Sequence, residues 1–358
     1  DVAREKIMDL MEYKCPNCGG AIRFDTAAQK MVCPYCNTEF DMDTLRGYDD
    51  ILKGDTEGTM NWSAPEGKWD EGERDGLSVY TCNSCGGEIV GDETLGATSC
   101  PYCGNPVVMT GKWEKGLRPD LVIPFKLDKK QAKAKFSQYL GGKFLLPKVF
   151  KSENHIEEIK GLYVPFWLYD ADTDSRLRFK ATKVRSWSDR SYYYTETSYF
   201  AVIRGGSLEF KAVPADASAK MDDVLMQSIE PFDLKDAVDF QTAYLAGFLA
   251  DKYDVSSDAQ LQTVNSRIRN SVEEAFRNTV TGYSSVTKEW STVNIDNKLT
   301  KYALYPVWVL TTRWQDKPYI FAMNGQTGKF VGDLPVDKSL RAKLFAGISI
   351  VTAIILFL

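Results

Sequence analysis

Histidine is almost absent from this sequence, and cysteine is absent from most of it. The 358 residues include one histidine, His155, and no cysteine follows Cys103. A histidine-based catalytic triad or metal centre would rest on His155 alone, and its polar surroundings in residues 152–160 indicate a surface residue. Cysteines confined to one end of the chain also exclude a network of disulfides along it.

The motif of a nucleotide-hydrolysing motor is missing as well. The full pattern G-x4-G-K-[ST] does not occur, and the superficially similar stretch Gly325–Lys329 has the setting of a hairpin turn. Asp170, Asp172 and Asp174 resemble the start of an EF-hand loop, yet Ala181 stands where that loop needs a bidentate glutamate. We therefore predict neither an ATPase nor a calcium site, and we assign no catalytic residue.

The start of the chain lacks a basic segment followed by an apolar run, so no signal peptide is visible. Because the first residue is Asp1, we expect the numbering to begin inside a longer protein. Hydrophobic residues at 44% and charged residues at 26% are typical of folded soluble protein, and they indicate neither wholesale disorder nor a polytopic membrane protein. This length predicts two or three domains.

The eight cysteines that are present form four C-x-x-C pairs. One spacing, C-x2-C-x14-C-x2-C, occurs twice at an offset of 67 residues, as Cys15, Cys18, Cys33 and Cys36 and again as Cys82, Cys85, Cys100 and Cys103. Two tight turns that each supply two thiolates close a tetrahedral shell of four sulfurs, and Gly19 and Gly86 follow the first pairs where an unusual φ is needed. We predict two structural Zn2+ ions in tandem zinc ribbons, residues 1–40 and 80–110. Iron, an iron–sulfur cluster or a dithiol redox role are the alternatives.

The ribbon region is strongly acidic. Residues 1–110 contain nine Lys or Arg against twenty Asp or Glu, a net charge of −11. Each Zn2+ with four thiolates adds about −2. Since such a surface repels phosphate, protein partners are expected and nucleic acid is not.

An acidic linker, residues 41–79, joins the two ribbons. It carries Tyr48, Trp62 and Trp69, for which two interpretations remain open. The linker is either a solvated tether whose aromatic side chains pack on the ribbons or a docking segment for a basic partner.

Residues 111–338 have the pattern of an α+β body built on an antiparallel sheet. Asp128 caps a predicted helix that places Ala132, Phe136 and Leu140 on one face. Further helices are predicted over 240–253 and 257–280, and strands over 161–169, 176–187, 192–204, 304–312, 319–323 and 329–331. The stretch from Tyr163 (YVPFWL) resembles the stretch from Leu304 (LYPVWV), which indicates an internal pseudo-repeat.

The C-terminal end is apolar. Residues 344–358 are fifteen apolar or small residues without charge, preceded by Lys338, Arg341 and Lys343. We predict a transmembrane helix over 339–358, with the chain ending inside it, because a soluble helix would have a polar face. The basic flank places residues 1–340 in the cytoplasm, at the inner membrane.

Several stretches together resemble one family. They are the CPxC-type ribbons, GLYVPFWLYDAD, VPADAS, the Glu230–Asp233 segment, YPVWVL, NGQTGK and the membrane helix. The chain is similar in these to bacterial double zinc-ribbon membrane proteins of the YdjG type, often labelled PriA-like helicases or TFIIB-type zinc ribbon proteins. The helicase label does not fit, since the motor motifs are missing. The resemblance implies a membrane anchor that works with PspA-type and SPFH (flotillin-like) proteins in envelope stress and membrane integrity.

These inferences converge on a non-enzymatic cytoplasmic adaptor fixed to the membrane. A nucleic-acid-binding ribbon protein is the second hypothesis and would need a basic face. A third is an enzyme or ligand-binding protein with a site in the aromatic body. Oligomers are compatible with all three.

Overall fold

A computed structural model describes residues 15, 20–26, 28, 30–40, 60–92, 99–112, 116–151, 158–315, 317–332 and 334–357. Cys18, Gly19, Tyr48 and His155 lie outside these residues. The chain divides into two compact units. The first contains Asp1–Asn61, Ala171–Phe210 and Asn265–Asn297, and the second contains Trp62–Asp170, Lys211–Val264 and Lys298–Leu358. The sequence-based domain boundaries stay predictions.

The described residues form a mixed α+β protein. Its strands are β1 (Arg23–Asp25), β2 (Lys30–Val32), β3 (Glu39–Phe40), β4 (Met60–Asn61), β5 (Leu77–Thr81), β6 (Glu88–Asp92), β7 (Val108–Lys112), β8 (Leu121–Val122), β9 (Lys160–Ser188), β10 (Tyr193–Asp216), β11 (Val238–Asp239), β12 (Leu249–Asp251), β13 (Ser285–Trp314), β14 (Lys317–Asn324) and β15 (Phe330–Gly332). Its α-helices are α1 (Lys129–Gly141), α2 (Asp223–Ile229), α3 (Leu261–Asn278) and α4 (Lys338–Phe357). Short 3-10 turns cover Lys148–Lys151, Leu234–Asp236, Thr242–Leu245 and Asp258–Gln260.

The first unit contains a three-stranded sheet in the order β1-β2-β3, with antiparallel pairs. Its small core consists of Cys15, Ile22, Met31 and Cys33, with Phe40 packed against them. The same unit includes the later part of β9, the early parts of β10 and β13, and most of α3. Helix α3 lies within the helix predicted over 257–280, and its apolar residues Val264, Ile268 and Val272 share one face and are buried.

The main sheet has the order β11-β8-β13-β9-β12-β6-β5-β7, and β10, β14, β15 and β4 pair outside this path. The β13–β14 hairpin is antiparallel, as predicted for the body, and the β5–β6 hairpin is antiparallel too. The pairs β12–β9, β13–β8 and β13–β4 are parallel. The prediction of an antiparallel sheet is therefore confirmed only in part, because short strands from distant parts of the sequence join the long hairpins in parallel.

Helix α1 confirms the predicted cap. The Asp128 side chain accepts a hydrogen bond from the backbone N–H of Gln131, and the Gln131 side chain accepts one from the backbone N–H of Asp128, which completes a capping box. Ala132, Phe136 and Leu140 are buried against β13 and β14. By contrast, the helix predicted over 240–253 is wrong: this segment forms a 3-10 turn and then β12.

The two resembling stretches lie on neighbouring strands, β9 and β13, and make equivalent contacts. The carbonyl of Pro165 accepts a bond of 3.0 Å from Ala217 N, and the carbonyl of Pro306 accepts one of 2.8 Å from Gly325 N. Their indoles also correspond, since Trp167 donates to Val255 O and Trp308 to Leu127 O.

Helix α4 is exposed along its described length. Residues Lys338–Leu356, 19 residues, are long and apolar enough to cross a membrane. Asp337 caps the helix by accepting hydrogen bonds from the backbone N–H groups of Ser339 and Leu340. Length and composition alone therefore allow a spanning helix here.

Candidate metal centres

The cysteines form two groups, which we call the first cluster (Cys15, Cys33 and Cys36 among the described residues) and the second cluster (Cys82, Cys85, Cys100 and Cys103). In the second cluster the four side chains point towards one another. Cys82 and Cys85 lie at the turn between β5 and β6, and Cys100 and Cys103 lie shortly before β7. The four Sγ atoms all lie within 4.8 Å of one another. Cys82 and Cys100 are fully buried, and Cys85 and Cys103 are partly buried.

Both turns of this cluster have the same backbone hydrogen bonds. Cys82 N donates to Gly87 O and Gly86 N donates to Cys82 O, while Cys100 N donates to Asn105 O and Gly104 N donates to Cys100 O. The residue after each pair has a positive φ, 69° at Gly86 and 72° at Gly104. Each turn thereby brings two sulfurs to the same side, and glycine avoids the strain of this conformation.

The sulfur separations test whether a metal would fit. Sγ of Cys82 lies 3.5 Å from Sγ of Cys103, and Sγ of Cys85 lies 3.7 Å from Sγ of Cys100. In a tetrahedral Zn–S4 shell the sulfurs are about 3.8 Å apart. The donor set and its spacing fit a metal ion held by four thiolates.

The backbone also favours thiolate at one ligand. Burial opposes ionisation of Cys82, but the N–H groups of Cys85 and Ser84 outweigh it and lower its pKa to about 7. Burial raises the pKa of Cys100 far above its usual value. A cation at the centre of the four sulfurs would stabilise all of them as thiolates.

The first cluster repeats this arrangement at the residues that the structure describes. Cys15, Cys33 and Cys36 present Sγ atoms within 4.8 Å of one another. Cys33 N donates to Thr38 O and Asn37 N donates to Cys33 O, and Asn37 has φ 54°. Asparagine tolerates this conformation better than most residues. Cys36 is exposed, and a hydrogen bond with the side chain of Thr38 helps to lower its pKa to about 6.

The surroundings of the second cluster differ from those of the first. Cys82, Cys100 and Tyr102 belong to a hydrophobic core of the second unit, together with Leu162 and Tyr305. Strand β6 pairs with β12, which in turn pairs with β9. The second cluster is therefore built into the main sheet, whereas the first has its own small core.

Three side chains from the body hold the turns of the second cluster. Lys220 Nζ donates to the carbonyl of Cys85 at 3.2 Å, and Lys160 Nζ donates to the carbonyl of Ser99 at 2.6 Å. The hydroxyl of Thr311 donates to the carbonyl of Pro101. Two lysines thus place positive charge beside a centre that would carry about −2.

Two buried carboxyl groups lie in the same unit. Burial raises the pKa of Asp216 to about 8, with the charges of Asp223 and Asp251 adding to the effect. Burial likewise raises the pKa of Asp251 to about 7, although the nearby side chains of Ser218 and Tyr102 oppose this effect. Sequence reasoning missed both, because an isolated Asp in an apolar stretch carries no local signal of its partners.

The other candidate residues have structural roles. Asp170, Asp172 and Asp174 lie inside β9, where alternate side chains of an extended strand cannot form a calcium loop. The stretch Gly325–Lys329 is the turn after β14. Just before this turn, the side-chain amide of Asn324 donates hydrogen bonds to the carbonyl oxygens of Ile229 and Pro231.

The linker tryptophans pack on the body. Trp62 contacts Tyr169 edge-on at a ring separation of 5.2 Å, and Trp69 donates to the carbonyl of Gly116. Glu73 forms an ion pair with Arg118 at 2.8 Å. In the part of the chain that the structure describes, Trp62 and Trp69 contact the body, whereas the tether interpretation placed the aromatic side chains against the ribbons. Docking of a basic partner by the linker stays a prediction.

Fold and site together define a class of protein: a mixed α+β body with two cysteine clusters that could hold metal ions and a C-terminal helix that could cross a membrane. The chain is 32% identical over 341 residues to the protein called "Uncharacterized protein YdjG" of Bacillus subtilis (strain 168), covering 95% of this chain and 94% of that protein. It therefore belongs to the YdjG family. No family model matches the sequence, and no solved structure matches it.

Proposed function

We propose that this protein is a non-enzymatic adaptor, anchored in the inner membrane by α4, which binds protein partners through two zinc ribbons on the cytoplasmic face. The observation that carries the proposal is the closed group of four sulfurs at Cys82, Cys85, Cys100 and Cys103. Four protein ligands leave a tetrahedral ion no open position for substrate or water. A metal there stabilises a fold and presents a surface.

The charge of the ribbon region supports protein partners. Residues 1–110 have a net charge of −11, and metal-bound thiolates add to it. The resemblance stated above suggests PspA-type and SPFH-type proteins as partners and envelope stress as the setting. The basic residues at the N-terminal end of α4, Lys338, Arg341 and Lys343, favour a cytoplasmic location for the rest of the chain.

Crosslinking on the full-length chain in its native membrane tests this. A photoreactive phenylalanine analogue at Tyr35, which is 76% exposed beside the first cluster, should capture protein. Phe144, 72% exposed in the body, is the matched control. Cys33→Ser should abolish the Tyr35 product by unfolding the first ribbon.

The outcome separates the hypotheses. Products at Tyr35 that contain nucleic acid and no protein would favour the nucleic-acid alternative. Products identical to those at Phe144 would contradict ribbon-directed binding.

A further inference from the structure

The hairpin formed by β9 and β10 ends in a segment that is exposed on both faces. We call residues Lys180–Arg204 the arm. From Lys183 to Ala201 every residue except Ser198 is exposed. A two-stranded hairpin without a core is only marginally stable by itself. An exposed hairpin of this kind therefore indicates a surface that binds a partner.

The end of the arm is held in one conformation. The Oδ1 atom of Asp189 accepts hydrogen bonds of 2.8 Å from the backbone of Ser191 and of Tyr192. Its Oδ2 atom accepts one from the hydroxyl of Tyr194. These bonds fix the turn that presents Tyr192, which is 67% exposed, and Tyr193, which is 92% exposed. Little conformational entropy is lost when such a tip docks.

Aromatic rings and cations alternate along the arm. Lys180 lies over the ring of Tyr199, Lys183 over that of Phe200 and Arg185 over that of Trp187. The Trp187 ring also stacks on Tyr194 at 5.5 Å. The arm contains five Lys or Arg against two Asp or Glu, a net charge of +3.

The charge and the aromatic rings of the arm indicate which kind of partner it binds. A second arm would bring another net charge of +3 against the first, which disfavours self-association. Nucleobases stack on open rings, but several of these rings are already covered by the cations of the arm itself. An anionic lipid surface accepts both kinds of side chain, since Tyr and Trp suit the headgroup level and nearby Lys and Arg side chains are attracted to the anionic headgroups.

We propose that the arm docks on the headgroup layer of an anionic phospholipid bilayer, with Trp187, Tyr192 and Tyr193 at the interface and its lysines and arginines on lipid phosphates. The same polypeptide carries a helix that could cross a bilayer. The arm would then bind a surface to which its own chain is already attached, and this raises its effective concentration there. This inference is independent of what the ribbons bind.

Limited proteolysis of the full-length chain in lipid nanodiscs tests the proposal. Trypsin cleaves after Lys183, Arg185 and Arg190, and mass spectrometry follows each product. Cleavage should be about tenfold slower in discs with roughly one quarter phosphatidylglycerol than in pure phosphatidylcholine discs. This protection should disappear at about 0.5 M salt, where charges on an exposed surface are screened.

Two variants separate docking from a change in the arm itself. Tyr192→Ser with Tyr193→Ser should reduce the ratio of the two rates towards one, because the interfacial rings are lost and the charge is kept. Phe144→Ser removes an equally exposed aromatic ring outside the arm and should leave the ratio unchanged. Using a ratio cancels any intrinsic change in susceptibility.

Three results would overturn the proposal. One is equal cleavage in both kinds of disc at low salt. Another is equal protection in phosphatidylcholine discs when single-stranded nucleic acid is added. The last is protection that rises with protein concentration in detergent, which would indicate that a second copy covers the arm.

Discussion

The ammonium group of Lys220 lies 3.2 Å from the carbonyl oxygen of Cys85, to which it donates a hydrogen bond across 135 residues of sequence. Lys160 makes the corresponding bond to Ser99 beside the other pair of the same cluster. Groups outside the ligand shell of a metal orient the ligands and balance their charge. The body of the protein therefore takes part in holding the second candidate metal centre.

Replacing Lys220 with Met should accelerate metal release from the second cluster. The variant loses a hydrogen bond and a positive charge next to four thiolates, and losses of this kind typically weaken metal affinity about tenfold or more. The transfer of zinc from the protein to a chromogenic chelator should have two phases, one for each cluster. In Lys220→Met, one of these phases should be faster than in the parent protein. Lys129→Met, an exposed lysine on α1, is the matched control and should behave like the parent protein. Unchanged rates in Lys220→Met would mean that this contact does not support the site.

The two clusters should differ in what their loss does to the body. The purified chain should contain two zinc ions. Cys33→Ser should remove one of them and leave the melting temperature of the main sheet unchanged, because the first cluster has its own core. Cys100→Ser should also remove one ion but lower that temperature by many degrees, because Cys100 is buried in a core that it shares with residues of the main sheet.

Elemental analysis and circular dichroism melting measure both effects. Equal destabilisation by the two substitutions would contradict the assignment of separate cores. Retention of both ions in either variant would contradict a metal role for the changed cysteine.

Features encoded over a few residues could be predicted from the sequence. The capping box at Asp128 and the C-x-x-C turns rely on neighbours within five positions, and both are present. The positive φ of Asn37 and Gly104 could have been inferred from their places after each second pair. These contacts form wherever the local sequence occurs, so local patterns reveal them.

Features that depend on distant partners could not be predicted. Residues 240–253 have an acceptable helical pattern, yet β12 forms there because β6 and β9 offer open edges on either side. Lys220 and Thr311 look like ordinary polar residues until the fold brings the cysteine turns to them. The parallel pairs arise in the same way, since tertiary contacts override local preference.

Asp216 should make stability depend on pH. Burial favours its protonated form, with a pKa of about 8 in the folded chain, whereas an unfolded aspartate ionises near its ordinary value. Between these values the folded state holds a proton that the unfolded state has lost. The free energy of unfolding therefore falls as pH rises, by at most about 1.4 kcal/mol per pH unit from this group.

Asp216→Asn should remove that dependence. The amide stays neutral, and its oxygen can still accept the bond from Ser218 N. The melting temperature of the variant should therefore fall less than that of the parent between about pH 6 and pH 8. Asp174→Asn, at an exposed carboxyl group, controls for the loss of an acid as such. Parallel melting curves for Asp216→Asn and the parent would contradict the proposed protonation.

Helix α4 should lose its membrane insertion when a charge is placed at its middle. Ile350 is exposed within the apolar run, and an arginine near the centre of a spanning helix costs about 3 kcal/mol on an insertion scale. After extraction of membranes with alkaline carbonate, which strips peripheral proteins, the parent chain should stay in the pellet and much of Ile350→Arg should be released. Val336→Arg adds the same side chain just before the helix and should stay in the pellet, because arginine is tolerated at the membrane boundary. If Ile350→Arg is retained as fully as the parent, α4 does not cross the bilayer and the anchor must lie elsewhere.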